Sequence, residues 1–332
     1  MTCVPMRGCA RNNARNELTP MTRYVLRRIA ISVVTILLII VLLFLLERLM
    51  PGTPFNDEKL TSDQVAILYQ KYGLDKPMWQ QIIIYIKNML TGDFGISYTI
   101  QKNLPISSMI VARFPTSIRI GAMGFVIGVT AGLLLGIFAA LKHNSALDTA
   151  ASVFSMIGGS VPSYVMGMLL LYFVAYKLKW VPLWYSNQNP FQSMLLPAFA
   201  MAIGPMSSVA RYTRSEMIEA MNSEYVLLAE AKGMNRARVI FRHELRNVMI
   251  PIVTMIGPQF IGMITGSTVV ESIFSVPGIG KLFVQAIQDN DYNVVLALAF
   301  IFSALFISVL LLVDVLYVVI DPRVRIAGGS QE

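Results

Sequence analysis

The fold is decided by the stretch Ile29-Ala-Ile-Ser-Val-Val-Thr-Ile-Leu-Leu-Ile-Ile-Val-Leu-Leu-Phe-Leu-Leu46, in which only Ser32 and Thr35 are polar. About 20 such residues cross the hydrocarbon core of a bilayer as a helix. No small-residue cleavage site precedes Arg48 and Pro51, as a secretory signal peptide would require. The stretch is therefore predicted to be a retained membrane anchor.

The composition of the whole chain agrees with a membrane protein. Of its 332 residues 55% are hydrophobic and only 14% are charged, and the mean hydropathy is +0.61. The net charge of +8 falls between the apolar runs, with no basic face interleaved with aromatic residues, so no nucleic-acid partner is predicted. The only cysteines are Cys3 and Cys9, which support neither a disulfide framework nor a metal site.

The apolar runs predict an all-α, polytopic membrane protein with six transmembrane helices. The runs lie at about 29–46, 120–141, 149–176, 194–210, 248–270 and 294–320. The fourth run is the weakest, because it contains Pro197, Gly204 and Pro205. Such a span is tolerated only where neighbouring helices pack against it.

The arginines predict that both termini lie in the cytoplasm. With the N-terminus inside, the inner segments hold 14 of the 17 arginines. The chain then divides into a cytoplasmic tail (1–28), a first span (29–50), an extracytoplasmic helical cap (51–118), a five-helix core (119–325) with an inner 211–247 loop, and a C-terminal tail (326–332). Residues 1–20 differ in composition from the rest of the chain, and Met21 opens a normal cytoplasmic lead-in, so we expect residues 1–20 to be dispensable.

Helix start and stop signals punctuate the predicted cap. Thr61 and Ser62 stand at one helix start with Gly73 as its stop, Pro77 and Gly92 bracket a second helix, and Pro105 opens a third. The cap is therefore expected to be a small helical unit.

The 211–247 loop is predicted to form two or three short helices. One begins at Ser223 and ends at Gly233, and Asn235 caps the next. In that later helix Arg238, Arg242 and Arg246 recur every four residues, which predicts one basic stripe.

Motifs for catalysis fail when their spacing is checked. Gly280-Lys281 lacks the earlier glycine and the following Ser or Thr of a phosphate-binding loop, and His243-Glu244 lacks the second histidine of a zinc helix because position 247 is Asn247. Ser160 follows two glycines in the manner of a membrane nucleophile, yet both histidines of the chain lie in predicted inner loops. No catalytic residue, metal or cofactor is predicted, and an intramembrane protease is disfavoured.

Small and polar residues inside the spans have two interpretations. Gly128, Gly132 and Gly136 form a stripe that favours close helix packing over lining a pathway. The third span contains Ser160, Ser163 and Tyr164 around Pro162, which predicts an interrupted or kinked helix. Lining of a pathway and kink chemistry are equally supported for these residues.

Two further residues are candidates within the spans. Gly257-Pro258 is expected to break the fifth span near its middle, and Gln259 beside it either lines a polar pathway or bonds to a neighbouring helix. Asp314 is the acid deepest in a predicted span, and a packing contact is favoured over a proton relay because no partner charge lies at similar depth.

Several stretches together resemble a known family. They are Tyr72-Gly-Leu-Asp-Lys-Pro77, Gly92-Asp-Phe-Gly-Ile-Ser97, Ser160-Val-Pro-Ser163, Ala210-Arg-Tyr-Thr-Arg214, Tyr225-Val-Leu-Leu-Ala-Glu-Ala-Lys-Gly-Met234, Arg242-His-Glu-Leu-Arg-Asn-Val-Met-Ile-Pro251, Phe274-Ser-Val-Pro-Gly-Ile-Gly280 and Asp321-Pro-Arg-Val-Arg325. Over about residues 21–325 the chain resembles the permeases of binding-protein-dependent ABC importers, in the variant of the oligopeptide, dipeptide and nickel group. It is most similar to oligopeptide permeases.

The resemblance implies a coupling role for the 211–247 loop. Leu227-Leu-Ala229 replaces the general Glu-Ala-Ala triplet of that family, and His243-Glu-Leu-Arg246 replaces its later element, as in the peptide-permease variant. Small residues on the surface of the short helix are expected to approach a groove of the partner. The residues implied are Ala229, Glu230, Ala231, Lys232, Gly233, Arg238, Arg246 and His243.

The resemblance also implies a non-enzymatic pore subunit in the cytoplasmic membrane. Its expected partners are a second permease subunit, two ATP-binding subunits, an extracytoplasmic solute-binding protein and a peptide substrate. Nickel or another small solute is the alternative cargo, although the predicted spans contain no His or Cys to select a metal. A stand-alone secondary transporter is the other alternative, but more intramembrane charges and a repeat would be expected of it.

Overall fold

The computed structural model describes residues 20–49, 67, 76–264 and 268–320, and the regular structure in these residues is helical apart from one bridge between Ile96 and Pro105. The all-α prediction is confirmed. The helices are α1 (Pro20–Leu49), α2 (Met78–Thr91), α3 (Ile106–Leu141), α4 (Ala146–Ser160), α5 (Ser163–Leu170), α6 (Pro190–Met221), α7 (Glu224–Ala231), α8 (Arg236–Val239), α9 (Leu245–Ile264), α10 (Thr268–Ile273), α11 (Ile279–Gln288) and α12 (Tyr292–Ile320). Two π-helical segments extend α5 (Leu171–Lys177) and join α8 to α9 (Ile240–Glu244).

Several helices are long and apolar enough to cross a bilayer. Four of them qualify within the described residues, at Leu26–Leu46, Ile106–Leu141, Pro190–Met221 and Tyr292–Val313, and α4 with α5 makes a fifth if a helix pair bent by 105° is one span. The predicted 248–270 span falls on α9 and α10, and residues 265–267 between them lie outside the described residues. Six spans therefore stay a prediction.

The centre of the fold is the close pairing of α3 with α6. Along α3 a glycine faces α6 at each turn, and a Cβ on Gly128, Gly132 or Gly136 would lie 2.8, 2.7 or 2.6 Å from a backbone oxygen of α6. The packing interpretation of the glycine stripe is confirmed. This close contact buries much of α6, so Pro197 and Pro205 are accommodated inside one continuous helix.

The third predicted span is broken, as its sequence predicts. Helix α4 ends at Ser160, Val161 is extended, and Pro162 precedes α5. On the α4 side, Gly158 lies directly against the side chain of Ser207 in α6. The bend therefore begins where α4 is held tightly to the centre of the fold.

The expected break in the fifth span is wrong. Helix α9 runs without interruption through Pro251 and Pro258. Gly257 instead permits a close approach to α12, because a Cβ there would lie 2.8 Å from a methyl carbon of Val313. Pro258 is accommodated inside the helix, as prolines are in membrane-spanning helices whose surroundings re-satisfy the freed backbone groups.

Helix punctuation in the predicted cap is confirmed where the structure describes it. Pro77 precedes α2, and Gly92 ends it in the left-handed conformation with φ +79°. Pro105 precedes α3, which continues without a break through residue 118 into the predicted 120–141 span. Thr61, Ser62 and Gly73 lie outside the described residues.

Candidate functional site

The 211–247 loop contains the helices that its sequence predicts, except that residues 211–221 continue α6. Helix α7 follows Ser223 and is closed by Gly233, which has φ +72° and donates its N–H to the carbonyl of Glu230 at 2.9 Å. The side chain of Asn235 accepts a hydrogen bond from the N–H of Ala237 at 3.2 Å and so caps α8. The turn between α7 and α8 is therefore fixed by local hydrogen bonds.

A small apolar cluster holds α7 and α8 together. Val226, Ala229 and Val239 are buried, and Met234 packs against them. Ala229 is only 5% exposed, so the expectation that it presents a small surface residue is wrong. Its methyl group packs inside the cluster, and the other alanine of α7, Ala231, is exposed.

The loop exposes large apolar side chains. Leu227 and Leu228 of α7 flank the side opposite the buried Val226 and Ala229, and each is more than half exposed. Phe241, in the π-helical segment after α8, is 75% exposed. We call these three residues the loop apolar surface. In the same loop Glu230, Lys232 and Arg238 are exposed and charged, and Glu230 forms a loose ion pair with Arg236 at 3.8 Å. Large exposed apolar residues together with charged ones are typical of a protein–protein interface.

The π-helical segment changes the predicted basic stripe. Residues 240–244 make a wider turn than an α-helix, so Arg238, Arg242 and Arg246 do not repeat on one face every four residues as expected. All three are exposed. The segment also buries Nε2 of His243 and Oε2 of Glu244 without a hydrogen-bond partner among the described residues, and burial raises the pKa of the Glu244 carboxyl.

A buried ion pair joins α4 to α6 near this loop. Arg214 donates from Nε and Nη2 to the two carboxylate oxygens of Asp148, at 2.5 and 2.8 Å. Nδ1 of His143 lies 3.2 Å from both Asp148 and Arg214, and the N–H of Asn144 donates to Asp148 at 3.0 Å. Arg214 holds the pKa of Asp148 well below its usual range. Sequence reasoning missed this pair.

A buried carboxylate at the start of α11 was missed as well. Glu271, 1% exposed, accepts a hydrogen bond from the N–H of Lys281 at 3.1 Å, and Ser117 of α3 accepts one from the N–H of Ile279 at 2.9 Å. A Cβ on Gly278 would overlap the Glu271 carboxylate. Glu271 therefore caps α11 from α10, and the glycines of the quoted Phe274–Gly280 stretch leave room for it.

The predicted pathway residues fall into separate places. Ser160, Ser163 and Tyr164 lie together at the bend between α4 and α5, where Ser160 donates to the carbonyl of Met156 at 2.7 Å. Gln259 lies on α9, which packs against α3, α6 and α12, and its Oε1 is buried without a partner among the described residues. Asp314 belongs to α12, but its side chain lies outside the described part of the chain.

Several bilayer-length apolar helices, packed on the central α3–α6 pair and joined by short helical segments, define a multi-pass membrane protein. The chain belongs to the family of binding-protein-dependent transport system inner membrane components. The model of that family matches residues 132–326, and the model of its N-terminal part matches residues 21–121.

Relatives with assigned names are similar over most of this chain. It is 42% identical over 306 residues to the dipeptide transport system permease protein DppB of Lactococcus lactis, covering 92% of this chain and 100% of the relative. It is 39% identical to the oligopeptide transport system permease protein OppB of Salmonella typhimurium, with the same coverage. The family named by the sequence resemblance is confirmed.

Solved structures of ABC transporters are more distantly similar. The MetNI methionine transporter in an inward-facing form has a TM-score of 0.46 at 15% identity, covering 66% of this chain and 96% of that one. An amino acid ABC transporter with histidines has a TM-score of 0.48 at 17% identity, covering 73% and 98%.

Proposed function

We propose that this chain is a permease subunit of an ABC importer that carries peptides across the cytoplasmic membrane. The names of the dipeptide and oligopeptide permeases, which align over 92% of the chain, support the peptide cargo. Uptake of a labelled dipeptide, a labelled pentapeptide and, separately, labelled Ni²⁺ tests the cargo. Uptake of nickel without uptake of either peptide would reject it.

The proposal includes partners at both ends of the chain. The subunit forms half of a pore with a second permease subunit, and two ATP-binding subunits dock on the 211–247 loop. A solute-binding protein delivers cargo at the 51–118 segment on the other side. Six spans with both termini in the cytoplasm would place these two segments on opposite sides of the membrane.

The observation that carries the proposal is the loop apolar surface of Leu227, Leu228 and Phe241. Exposed large apolar groups together with charged ones are unfavourable in water and favour burial in a partner's groove. The buried cluster beneath α7 and α8 joins these two helices into one unit, so a push from an ATP-binding subunit would move them together. The spans would then rock between inward-open and outward-open states.

We expect Leu228→Asp to abolish co-purification of the ATP-binding subunits and to abolish peptide uptake. A carboxylate in an apolar groove loses its hydration without gaining a partner. Leu228→Met, which keeps the apolar contact, is the matched control and should retain both activities. Membrane abundance should be normal in both variants, because the side chain is exposed in this chain. Retention of uptake by Leu228→Asp would contradict docking at this surface.

We expect Gly233→Asp to lose uptake while the chain inserts in normal amount. The left-handed conformation of Gly233 costs a residue with a Cβ roughly 1 kcal/mol. No atom of the described chain lies within 4 Å of the added Cβ, so the fold tolerates it and the new charge faces the partner. Gly233→Asn, uncharged and tolerant of that conformation, should keep more uptake. Equal uptake by both variants would remove the coupling role of this position.

We expect single cysteines at positions 102 and 222 to label from opposite sides of the membrane. Lys102 and Asn222 are both exposed, and Lys102 avoids the left-handed backbone of its neighbour Asn103. The native Cys3 and Cys9 are first replaced by serine. An impermeant maleimide applied to intact cells should label position 102 only, and labelling of both positions would reject the six-span topology.

A further inference from the structure

Helix α2 is apolar on both of its faces. On one face Tyr85, Ile86 and Met89 pack against α1 and α12. On the other, the exposed fractions of Trp79, Ile83 and Leu90 are 62%, 58% and 61%. A helix with one face buried in protein and a second apolar face needs a further apolar surrounding.

The contacts of α2 set its depth relative to α1. The rings of Tyr85 and Phe44 lie 5.5 Å apart, and the cluster around Met89 includes Ile40 and Ile36. All three α1 residues lie within the apolar Leu26–Leu46 segment. At about 1.5 Å per residue, Ile36 lies about 15 Å from the end of that segment, or about half of the hydrocarbon thickness.

The second neighbour of α2 gives the same depth. Phe300 of α12 belongs to the same cluster as Met89 and lies inside the apolar Tyr292–Val313 segment. Phe94, two residues past Gly92, packs on it with ring centroids 6.0 Å apart. Helix α2 therefore lies beside the membrane-crossing part of α1, and its C-terminal end lies near that of α12.

The length of α2 keeps it within one leaflet. Its 14 residues extend about 21 Å, less than a bilayer crossing. After Gly92 the chain returns to the level at which α12 begins, because Asp291, just before α12, accepts hydrogen bonds from Oγ of Ser97 at 2.5 Å and from the N–H of Thr99 at 3.1 Å. The chain therefore does not continue across the membrane from α2.

We propose that α2 is a half-membrane helix, embedded in the leaflet around the C-terminal end of α1, with Ile83 and Leu90 in contact with lipid acyl chains and Trp79 at the boundary between acyl chains and headgroups. Leu38 and Leu42 of α1, at the depth of the inner end of α2, are exposed apolar side chains as well. Lys87, the charged residue on that face, has a stem long enough to carry its ammonium to the headgroups. The inference rests on α1 crossing the membrane and not on the proposed function.

Tryptophan fluorescence tests the proposal, since the chain has only three tryptophans. A full-length chain with Trp180→Phe and Trp184→Phe keeps Trp79 alone and is placed in phosphatidylcholine vesicles with any subunits that co-purify. Bromines near the headgroup end of the acyl chains should quench the Trp79 emission more than bromines near the chain ends do, and aqueous acrylamide should quench less of it than in the unfolded chain. Quenching by acrylamide but not by bromolipid would place α2 in water, and protection from both would place it under a protein partner. Either outcome overturns the proposal.

A second probe examines the other end of α2. Leu90→Trp, in a chain with phenylalanine at the three native tryptophan positions, replaces one exposed apolar side chain by another. Its emission should also be quenched by bromolipid. Two further variants on the exposed face, Ile83→Asp and Lys87→Ala, form a matched pair for a measurement of yield. Ile83→Asp should lower the amount of folded chain several-fold, and Lys87→Ala should leave it unchanged. Emission from the Leu90→Trp chain that bromolipid does not quench, or equal yields in the matched pair, would overturn the proposal.

Discussion

Gly136→Ala is expected to remove most of the folded chain from the membrane. The added methyl group would lie 2.6 Å from the carbonyl oxygen of Ala210 and 2.6 Å from Cβ of Thr213. Neither neighbour is the flexible end of a side chain, so α3 and α6 must separate. Overpacking of this kind costs about 1–3 kcal/mol, and separation also loosens the contacts of the other glycines of the stripe. The measurement is membrane abundance together with thermal unfolding in detergent.

The control for this variant lies on α6 itself. Gly204 is helical, and no atom lies within 4 Å of a Cβ added there. Gly204→Ala should leave abundance unchanged and raise stability by up to about 1 kcal/mol through helix propensity. If both variants unfold at the wild-type temperature, the close α3–α6 contact does not limit stability.

Local features of this fold could be predicted from the sequence because each depends on neighbouring residues. Pro77 and Gly92 bracket α2, Gly233 closes α7 and Pro162 marks the bend, as their backbone preferences require. The glycine stripe was also predictable, since its four-residue repeat is visible in the chain. Each of these predictions needed only a helical period or a φ preference.

Contacts between distant residues could not be predicted in the same way. Gly257 beside Pro258 suggested a break, but the glycine serves the approach of Val313, which no local pattern shows. In the sequence Glu271 is an ordinary residue past the end of a predicted span, and only its contact with the N–H of Lys281 shows that it caps α11. One feature of the sequence pointed to Asp148. Ser145 and Asp148 have the spacing of a helix cap, and in the structure the N–H of Asp148 donates to Oγ of Ser145 at 3.4 Å.

The candidate coupling residues show the same division. The sequence correctly predicted that Gly233 ends a helix. It wrongly placed Ala229 on a surface, because the burial of this alanine depends on Val239 in the next helix, which no local pattern reveals. The resemblance implies a role for the loop, and the structure adds the exposed Leu228 and Phe241, on which the proposed docking rests.

The Asp148–Arg214 pair joins two helices beside the 211–247 loop. Arg214 lies two turns before the end of α6, and Asp148 lies in the first turn of α4, which leads to the bend at Ser160. Two hydrogen bonds from the half-buried Arg214 to the buried Asp148 carboxylate fix the relative rotation of these helices more firmly than one would. The pair therefore ties the end of α6 to the broken helix.

Arg214→Gln is expected to destabilise the chain by about 1–3 kcal/mol, because it removes two hydrogen bonds from the buried Asp148 carboxylate, which keeps its contacts with Asn144 and His143. Asp148→Asn should cost less, since Arg214 is half-buried and its guanidinium has a route to water. The double variant Asp148→Asn/Arg214→Gln removes both charges and should recover part of the loss of Arg214→Gln. Such recovery would show that the two residues interact with each other, rather than that any change at this site is destabilising. Strict additivity of the two single changes would refute the coupling.

The dependence of stability on pH gives the sharper test of the same pair. In the wild-type chain the pKa of Asp148 is depressed, so its contribution to stability is present above the ordinary pKa of an aspartate and is lost only as pH falls through the lower value. Between about pH 8 and about pH 5 that contribution should be constant. In Arg214→Gln the main cause of that depression is removed, so the pKa of the folded carboxyl moves back up toward the ordinary value of an aspartate. The deficit in unfolding temperature of Arg214→Gln relative to wild type should therefore be constant from about pH 8 to about pH 5 and should narrow as the pH falls to about 3, because only the wild-type chain then loses the contribution of the pair. A deficit that stays the same down to about pH 3 would show that Asp148 is not the group left unpaired.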